Sequence, residues 1–369
     1  MGNLLEGINP TLLMGPGPSC VHPATYHALG LPTIGHMDPY FIRIMDEIKD
    51  MLRAIMGTKN MMTVPISGTG SAGMETAFVN AVEKGDRVLV LVNGVFGTRM
   101  ADVAGRLGAQ VDRLDFDWGC PVDVGAVKRQ LDENEYDVVA IVHAETSTGV
   151  ANPANEVGKI LAGRALYIVD CVTSLGGMPV ALDAWGADIG YSGTQKCLSC
   201  PPGLAPITLN EKAMAKIRNR KDKVPNWYLD INLLTSYWEG NSRVYHHTAP
   251  VNMIYGLYQS LSLISEEGLE KSFARHALCH EMLVEGLKKL GLDMFVEKPY
   301  RLPMLNLVTV PGGLDEAALR NRMLNEFHIE IGAGLGVLAG KVFRIGLMGH
   351  TAREENVRRL LDVLEVCLN

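Results

Sequence analysis

The chain has 369 residues, 47% of them hydrophobic and 20% charged, which suits a globular protein of two domains or of one large domain with an appendage. Thirty-four basic against 41 acidic residues leave a formal charge of -7 with no basic tract, so no nucleic-acid partner is expected and small anionic substrates would need locally placed cations. No apolar run approaches the length of a membrane span, residues 1–15 lack the basic flank and apolar core of a signal peptide, and Val366-Cys367-Leu368-Asn369 is not a peroxisomal address. A cytoplasmic protein is therefore expected, with its seven cysteines as reduced thiols rather than a disulfide framework.

The first segment that carries chemistry is Ser67-Gly68-Thr69-Gly70-Ser71-Ala72-Gly73, just before a helical pattern ending near Lys84. Glycines there let the amides of a helix start close around a phosphate. The segment also matches GxGxxG literally. A dinucleotide fold, however, wants a good strand before that motif and an acid at the end of the next strand; here Pro65 precedes it and Asp86 stands at the start of that strand. A single phosphate on the helix start is the favoured reading, and a plain structural turn is its rival. Short β-branched runs follow at 87–92, 138–142 and 166–169, with another strand over 109–114 after a helix containing residues 100–107. Their alternation with helical patterns predicts an α/β fold: a mainly parallel sheet with helices on both faces and ligands at the carboxyl ends of the strands.

The polar residues after each run are accordingly the ones to inspect. Phe96 follows the first and would stack on a flat ring, unless it is a simple core aromatic. Glu145-Thr146-Ser147-Thr148-Gly149 follows the second, and its hydroxyls would bond a phenolic oxygen or only cap their own turn. Asp170 ends the third, either as an N-cap or as a carboxylate facing the crevice. After an apolar segment starting at Ile189 comes Ser192-Gly193-Thr194-Gln195-Lys196. Partial burial of such a lysine lowers its pKa and frees the amine to attack a carbonyl. We read Lys196 as carrying pyridoxal phosphate as a Schiff base, with Asp170 on the ring nitrogen so that the ring accepts electrons. Cys197 and Cys200 form a CxxC, but no second such pair completes a zinc site, and no metal is expected. Residues 203–209 return as a strand in which Pro206 argues for an edge or an irregular ladder.

From about Val251 the texture changes to long helical patterns (254–264, 269–290), a strand over 306–310, a helix over 314–327, a strand over 341–345 and a closing amphipathic helix after Thr351. This predicts a smaller α+β domain. Arg344 lies among apolar neighbours in its strand, where a planar guanidinium suits a substrate carboxylate, with an ion pair to a protein acid as the alternative.

Several of these segments, in this order, resemble one family. Residues 13–18 (Leu13-Met14-Gly15-Pro16-Gly17-Pro18), 169–177, 192–196, Tyr245-His246-His247-Thr248-Ala249-Pro250 and 343–349 are similar to class V aminotransferases of the pyridoxal-phosphate fold-type I group, in the alanine:glyoxylate and serine:pyruvate branch. The resemblance covers nearly the whole chain. It implies an N-terminal arm over 1–18, a large cofactor-binding domain over 19–260 and a small domain over 261–369. It also implies that Thr69, Gly70, Ser71 and Gln195 bind the cofactor's phosphate, joined by Tyr245 and Thr248 of a second subunit in a homodimer. Phe96 takes the stacking position often filled by tryptophan, Ser147 contacts the ring oxygen, Val172 is a further cofactor-binding residue, and Arg344 and Gly35 meet the substrate. Ser71 departs from the histidine of animal enzymes. The implied reaction is a ping-pong transfer of an amino group from alanine or serine to glyoxylate or pyruvate. Ureidoglycine-, kynurenine- and aminophosphonate-type transaminases stay open as alternatives. A desulfurase would place a histidine before the lysine and a cysteine near the small domain; Gln195 precedes Lys196, and residues 329–341 contain no cysteine.

Overall fold

The computed structural model describes residues 3–240 and 242–368. The apolar runs form a seven-stranded sheet of β1 (Met62–Ser67), β2 (Arg87–Val92), β3 (Gln110–Asp115), β4 (Val138–Val142), β5 (Leu166–Asp170), β6 (Ile189–Tyr191) and β7 (Leu204–Leu209). Their spatial order is β1-β7-β6-β5-β4-β2-β3. The pairs from β6 across to β3 are parallel, while β7 is antiparallel to both β1 and β6. β7 alone is therefore reversed. Every residue of β4 and β5 is buried. Because successive side chains point to opposite faces, this means that both faces of the sheet are covered, as unbroken apolar runs require. Edge strand β3 instead exposes Gln110, Arg113 and Asp115, which deters pairing with another strand.

The expectation that Pro206 puts its strand at an edge is overturned, since β7 lies between β1 and β6. Pro206 stands opposite Pro65 of β1, and its carbonyl accepts from the Ser192 N–H on the β6 side. In an antiparallel ladder both main-chain groups of a residue point the same way, so the two prolines meet where neither would donate across. No β1–β7 bond is lost.

Helices α1 (Pro39–Met56), α2 (Gly70–Ala81) and α3 (Val95–Arg106) come next, and α2 and α3 start almost directly from the ends of β1 and β2. Helices α4 (Val251–Glu267) and α5 (Leu269–Lys289) meet at Gly268, whose φ of 84° is left-handed. Buried side chains of α4 as far as Ile264 belong to the core around the large sheet, and those of α5 from Cys279 onward belong to a second core. That second core packs β8 (Leu305–Thr309), β9 (Gly332–Ala333) and β10 (Val342–Gly346), in the antiparallel order β8-β10-β9, against α6 (Glu316–Phe327) and α7 (Glu354–Leu368).

The N-terminal arm packs with this second core: Leu12–Leu13 pairs parallel with Ile329–Glu330, and Met14 is completely buried there. It then crosses to the large sheet, where the Ser19 N–H donates to the Gln195 carbonyl at 2.9 Å and the Ser19 hydroxyl to the Lys196 carbonyl at 2.8 Å. Among the described residues no helix is long and apolar enough to cross a membrane.

Candidate active site

Strands β1, β2, β4, β5 and β6 run the same way, so the loops after them open into one crevice. Those loops carry the Ser67–Gly73 segment, Phe96, Ser147, Asp170 and Lys196. Asp86, which a dinucleotide fold would need at that end, instead lies before β2 and pairs with Lys216 at 2.6 Å.

Lys196 is buried, and its Nζ donates to the Pro16 carbonyl. Gly17 passes so close, at φ 109°, that a Cβ there would lie 2.7 Å from Nζ. Burial, reinforced by the charge of Arg344, lowers the Lys196 amine to about 8. Asp170 closes β5, also buried, and burial pushes its carboxyl up to about 7. Its Oδ1 accepts from the Val172 N–H at 2.8 Å, but a turn and not a helix follows, so the N-cap alternative is not realised. Next to it on β6 is the completely buried Tyr191, whose hydroxyl lies close enough to the Asp170 carboxylate to hold it down against the effect of burial.

Helix α2 starts against this pair. A Cβ on Gly70 would come within 3.2 Å of Val172 Cγ2 and 3.6 Å of Gly193 Cα, and a Cβ on Gly193 would meet Gln195 Oε1 at 2.9 Å. Gly70, Val172 and residues 193–195 thus converge. Thr69 occupies the N-cap but makes no side-chain cap bond, and Gln195 Oε1 is buried without a partner. The Thr69 hydroxyl is thus left to donate to an anion at the helix start, where the first amides also lack intrahelical acceptors. The exposed Ser71 takes a bond from Arg99 Nη1 at 3.3 Å, and the same guanidinium lies 5.0 Å from the centroid of the half-buried Phe96 ring.

Arg344 projects from β10, buried, donating from Nε to the Ala333 carbonyl at 2.6 Å and from Nη1 to that of Thr146 at 3.5 Å. It pairs with no carboxylate among the described residues, so the structural ion pair does not form. Burial lowers its guanidinium to about 10, against the pull of the Glu145 charge.

Other expected residues stand apart. Ser147 is completely buried, its hydroxyl donating to Glu145 at 2.6 Å and accepting from the Val95 N–H at 2.9 Å. Tyr245 and Thr248 are exposed and hydrogen-bond each other at 3.5 Å. Gly35 lies in an exposed turn whose carbonyl accepts from the Asp38 N–H. Cys197 and Cys200 are buried, and burial pushes both thiols up to about 12. They are neutral thiols packed behind the lysine. Sequence reasoning missed three neighbours of the site: Pro16, Glu145 and Arg99. Only the glycine and proline alternation around Pro16 signalled a constrained backbone; nothing local marks the other two.

A match to the Aminotransferase class-V family spans residues 23–360. The chain belongs to the class V aminotransferase family. An alanine–glyoxylate aminotransferase of Rattus norvegicus is 42% identical over 97% of this chain and 87% of its own length. The crystal structure of an alanine–glyoxylate aminotransferase from Nostoc sp. superposes with a TM-score of 0.96 at 48% identity, covering 98% of this chain and 96% of that one. A ureidoglycine–glyoxylate aminotransferase structure from Bacillus subtilis also reaches 0.96, at 39% identity over 98% of this chain and 93% of that one.

The fold is accordingly that of the pyridoxal-phosphate fold-type I aminotransferases, and the cofactor is pyridoxal 5'-phosphate. The residues fit it. A buried amine of lowered basicity, a buried carboxylate and a helix start whose threonine hydroxyl caps nothing lie at the same end of the sheet.

Proposed function

We propose that this class V aminotransferase moves the amino group of a small amino acid, alanine or serine, to glyoxylate or pyruvate. The observation that carries the reading is Arg344: a buried guanidinium without an acidic partner, close enough to Lys196 for its charge to depress the amine. A carboxylate bound there would sit beside Lys196, whose amine is able to move a proton. The names of the rat and Nostoc relatives support alanine and glyoxylate. The Bacillus subtilis relative supports a second reading, with ureidoglycine as donor.

When bound, pyridoxal 5'-phosphate supplies an aldehyde that condenses with amines and a ring that withdraws electrons. Lys196 anchors it and then exchanges protons with the substrate's alpha carbon. With its amine at about 8, about one Lys196 in ten is neutral at pH 7, far more than for a free lysine. Asp170 holds a protonated ring nitrogen, whose charge relieves the cost of burying the carboxylate. Thr69, Gly70, Ser71 and Gln195 would hold the phosphate at the start of α2, Phe96 and Val172 would hold the ring, and Arg344 would orient the substrate carboxylate by two parallel hydrogen bonds.

Tyr245, Thr248 and Gly35 lie outside this cluster within one chain, which supports a homodimer in which each subunit completes its partner's site. The seven free cysteines support a reducing compartment, the cytoplasm. The test is spectroscopic. Protein loaded with pyridoxal 5'-phosphate should lose its visible band on adding L-alanine or L-serine and regain it with glyoxylate. A band that answers to ureidoglycine alone would select the second reading, and one that no amino donor changes would end both.

A further inference from the structure

The reaction as drawn leaves Glu145 without a part, yet its side chain is completely buried. Its carboxylate accepts four hydrogen bonds. Oε1 takes the Ser147 hydroxyl at 2.6 Å and the Ser147 N–H at 3.0 Å; Oε2 takes the N–H groups of Phe96 at 3.2 Å and Gly97 at 3.3 Å. Four donors and no acceptor describe the ionised form, since a neutral carboxyl would need a partner for its own proton. Phe96 and Gly97 lie in the first turn of α3, where the helix dipole also favours negative charge. Burial raises this carboxyl, and the four bonds oppose that rise.

The surrounding chain is shaped to admit the group. Gly94 is extended, at φ 177°, so its lack of a side chain is not a matter of backbone strain. A Cβ there would fall 2.5 Å from Glu145 Cγ, Glu145 Cδ and Ser147 Oγ. Ser147 has its proton committed to Glu145 and a lone pair to the Val95 N–H, so its hydroxyl ties the loop after β4 to the start of α3. The same carboxylate acts by charge on Asp170 of β5, Tyr191 of β6 and Arg344 of β10.

We propose that Glu145 is a positioning residue for the cofactor: its carboxylate fixes the first turn of α3, and so the Phe96 ring, and places a permanent negative charge behind the crevice. The proposal rests on the transaminase reading. A cofactor ring stacked on Phe96 would be held in place by the Phe96 and Gly97 amides, which Glu145 fastens from the loop after β4. The negative charge favours the protonated form of the bound cofactor.

The experiment compares wild type, Glu145→Gln, Phe96→Ala and the double variant by three measurements. These are the dissociation constant for pyridoxal 5'-phosphate, the pH midpoint of its visible band, and the melting temperature of the cofactor-free protein. Glu145→Gln keeps the shape and removes the charge; it should weaken cofactor binding about tenfold, the scale of a lost charged hydrogen bond. It should also move the pH midpoint down by about half a unit or more, because a nearby negative charge is gone. In the Phe96→Ala background the effect on binding should largely vanish, whereas the shift of the midpoint should persist. Unchanged binding and midpoint in Glu145→Gln, with only a lower melting temperature, would reduce Glu145 to a structural cap and overturn the proposal. An equal loss of binding with and without the Phe96 ring would overturn it as well. Should the glutamine variant fail to fold, Ser147→Ala removes one donor to Oε1 and the acceptor of the Val95 N–H but keeps the charge; cofactor binding should then weaken with the midpoint unmoved, and unchanged binding would overturn the proposal. Wild-type uptake of cofactor and its response to alanine test the transaminase reading, so a failure confined to the variants concerns Glu145 alone.

Discussion

Lys196 and Asp170 owe their proton affinities to the same cause with opposite sign. Burial disfavours a charge, so the amine falls from 10.5 to about 8 and the carboxyl rises from 3.8 to about 7. Before cofactor binds, each is a cost to folding. For Lys196 the unfolded chain binds the extra proton between about 8 and 10.5, so stability is lowest below 8 and recovers as pH rises through that window. For Asp170 the folded chain holds the extra proton, and stability falls as pH rises from about 4 to 7. Lys196→Met should therefore abolish transamination and yet stabilise the cofactor-free protein at pH 7 by about 3 kcal/mol, seen as a higher melting temperature. Calorimetry at pH 7 and pH 10 checks this; a variant that melts lower at pH 7, or whose gain does not shrink at pH 10, would show that burial is not the cause. Both residues were legible in the sequence because each follows a short apolar run. Glu145 also follows an apolar run, but its part was not legible, since the Phe96 and Gly97 amides it accepts from lie in α3 and only folding brings them to it.

Among the elements, the unbroken apolar runs announced the inner strands because a strand covered on both faces has no polar positions. The antiparallel strand β7 was harder to place. Its proline looked like an edge marker, and the pairing of Pro206 with Pro65 that makes an inner position tolerable is a matter of register between strands far apart in sequence. The arm shows the same dependence: its partners are Ile329–Glu330 and Gly346, and the Gly346 N–H donates to the Met14 carbonyl at 2.7 Å. A Cβ on Gly346 would collide with the main chain of Gly15, which cannot swing aside as a side chain would. Gly346→Ala should consequently lift the arm, lower stability by about 1–3 kcal/mol, and reduce turnover by taking Pro16 away from Lys196. Thermal melts and steady-state rates on the purified variant decide this; wild-type values for both would mean that the arm is dispensable.

For the molecule as a whole, the exposed Tyr245 and Thr248 make a prediction about assembly. If each subunit lends them to its partner's phosphate site, Lys196→Ala and Thr248→Ala variants, each nearly inactive alone, should regain up to about a quarter of wild-type activity when unfolded together and refolded as a mixture. Sedimentation should show a dimer. A monomer, or a mixture as inactive as its parts, would sink the shared site. The family, the lysine, the acid and the arginine are properties of short segments, because each is set by a side chain and its immediate neighbours, and the sequence by itself determined them. Tertiary structure decided three things: the convergence of Gly70, Val172 and residues 193–195, the burial that moves the proton affinities of Lys196 and Asp170, and the bridge that Glu145 builds from the loop after β4 to Phe96. Each depends on distances between segments remote in the chain and on the exclusion of water from between them, and neither quantity is written in any local pattern.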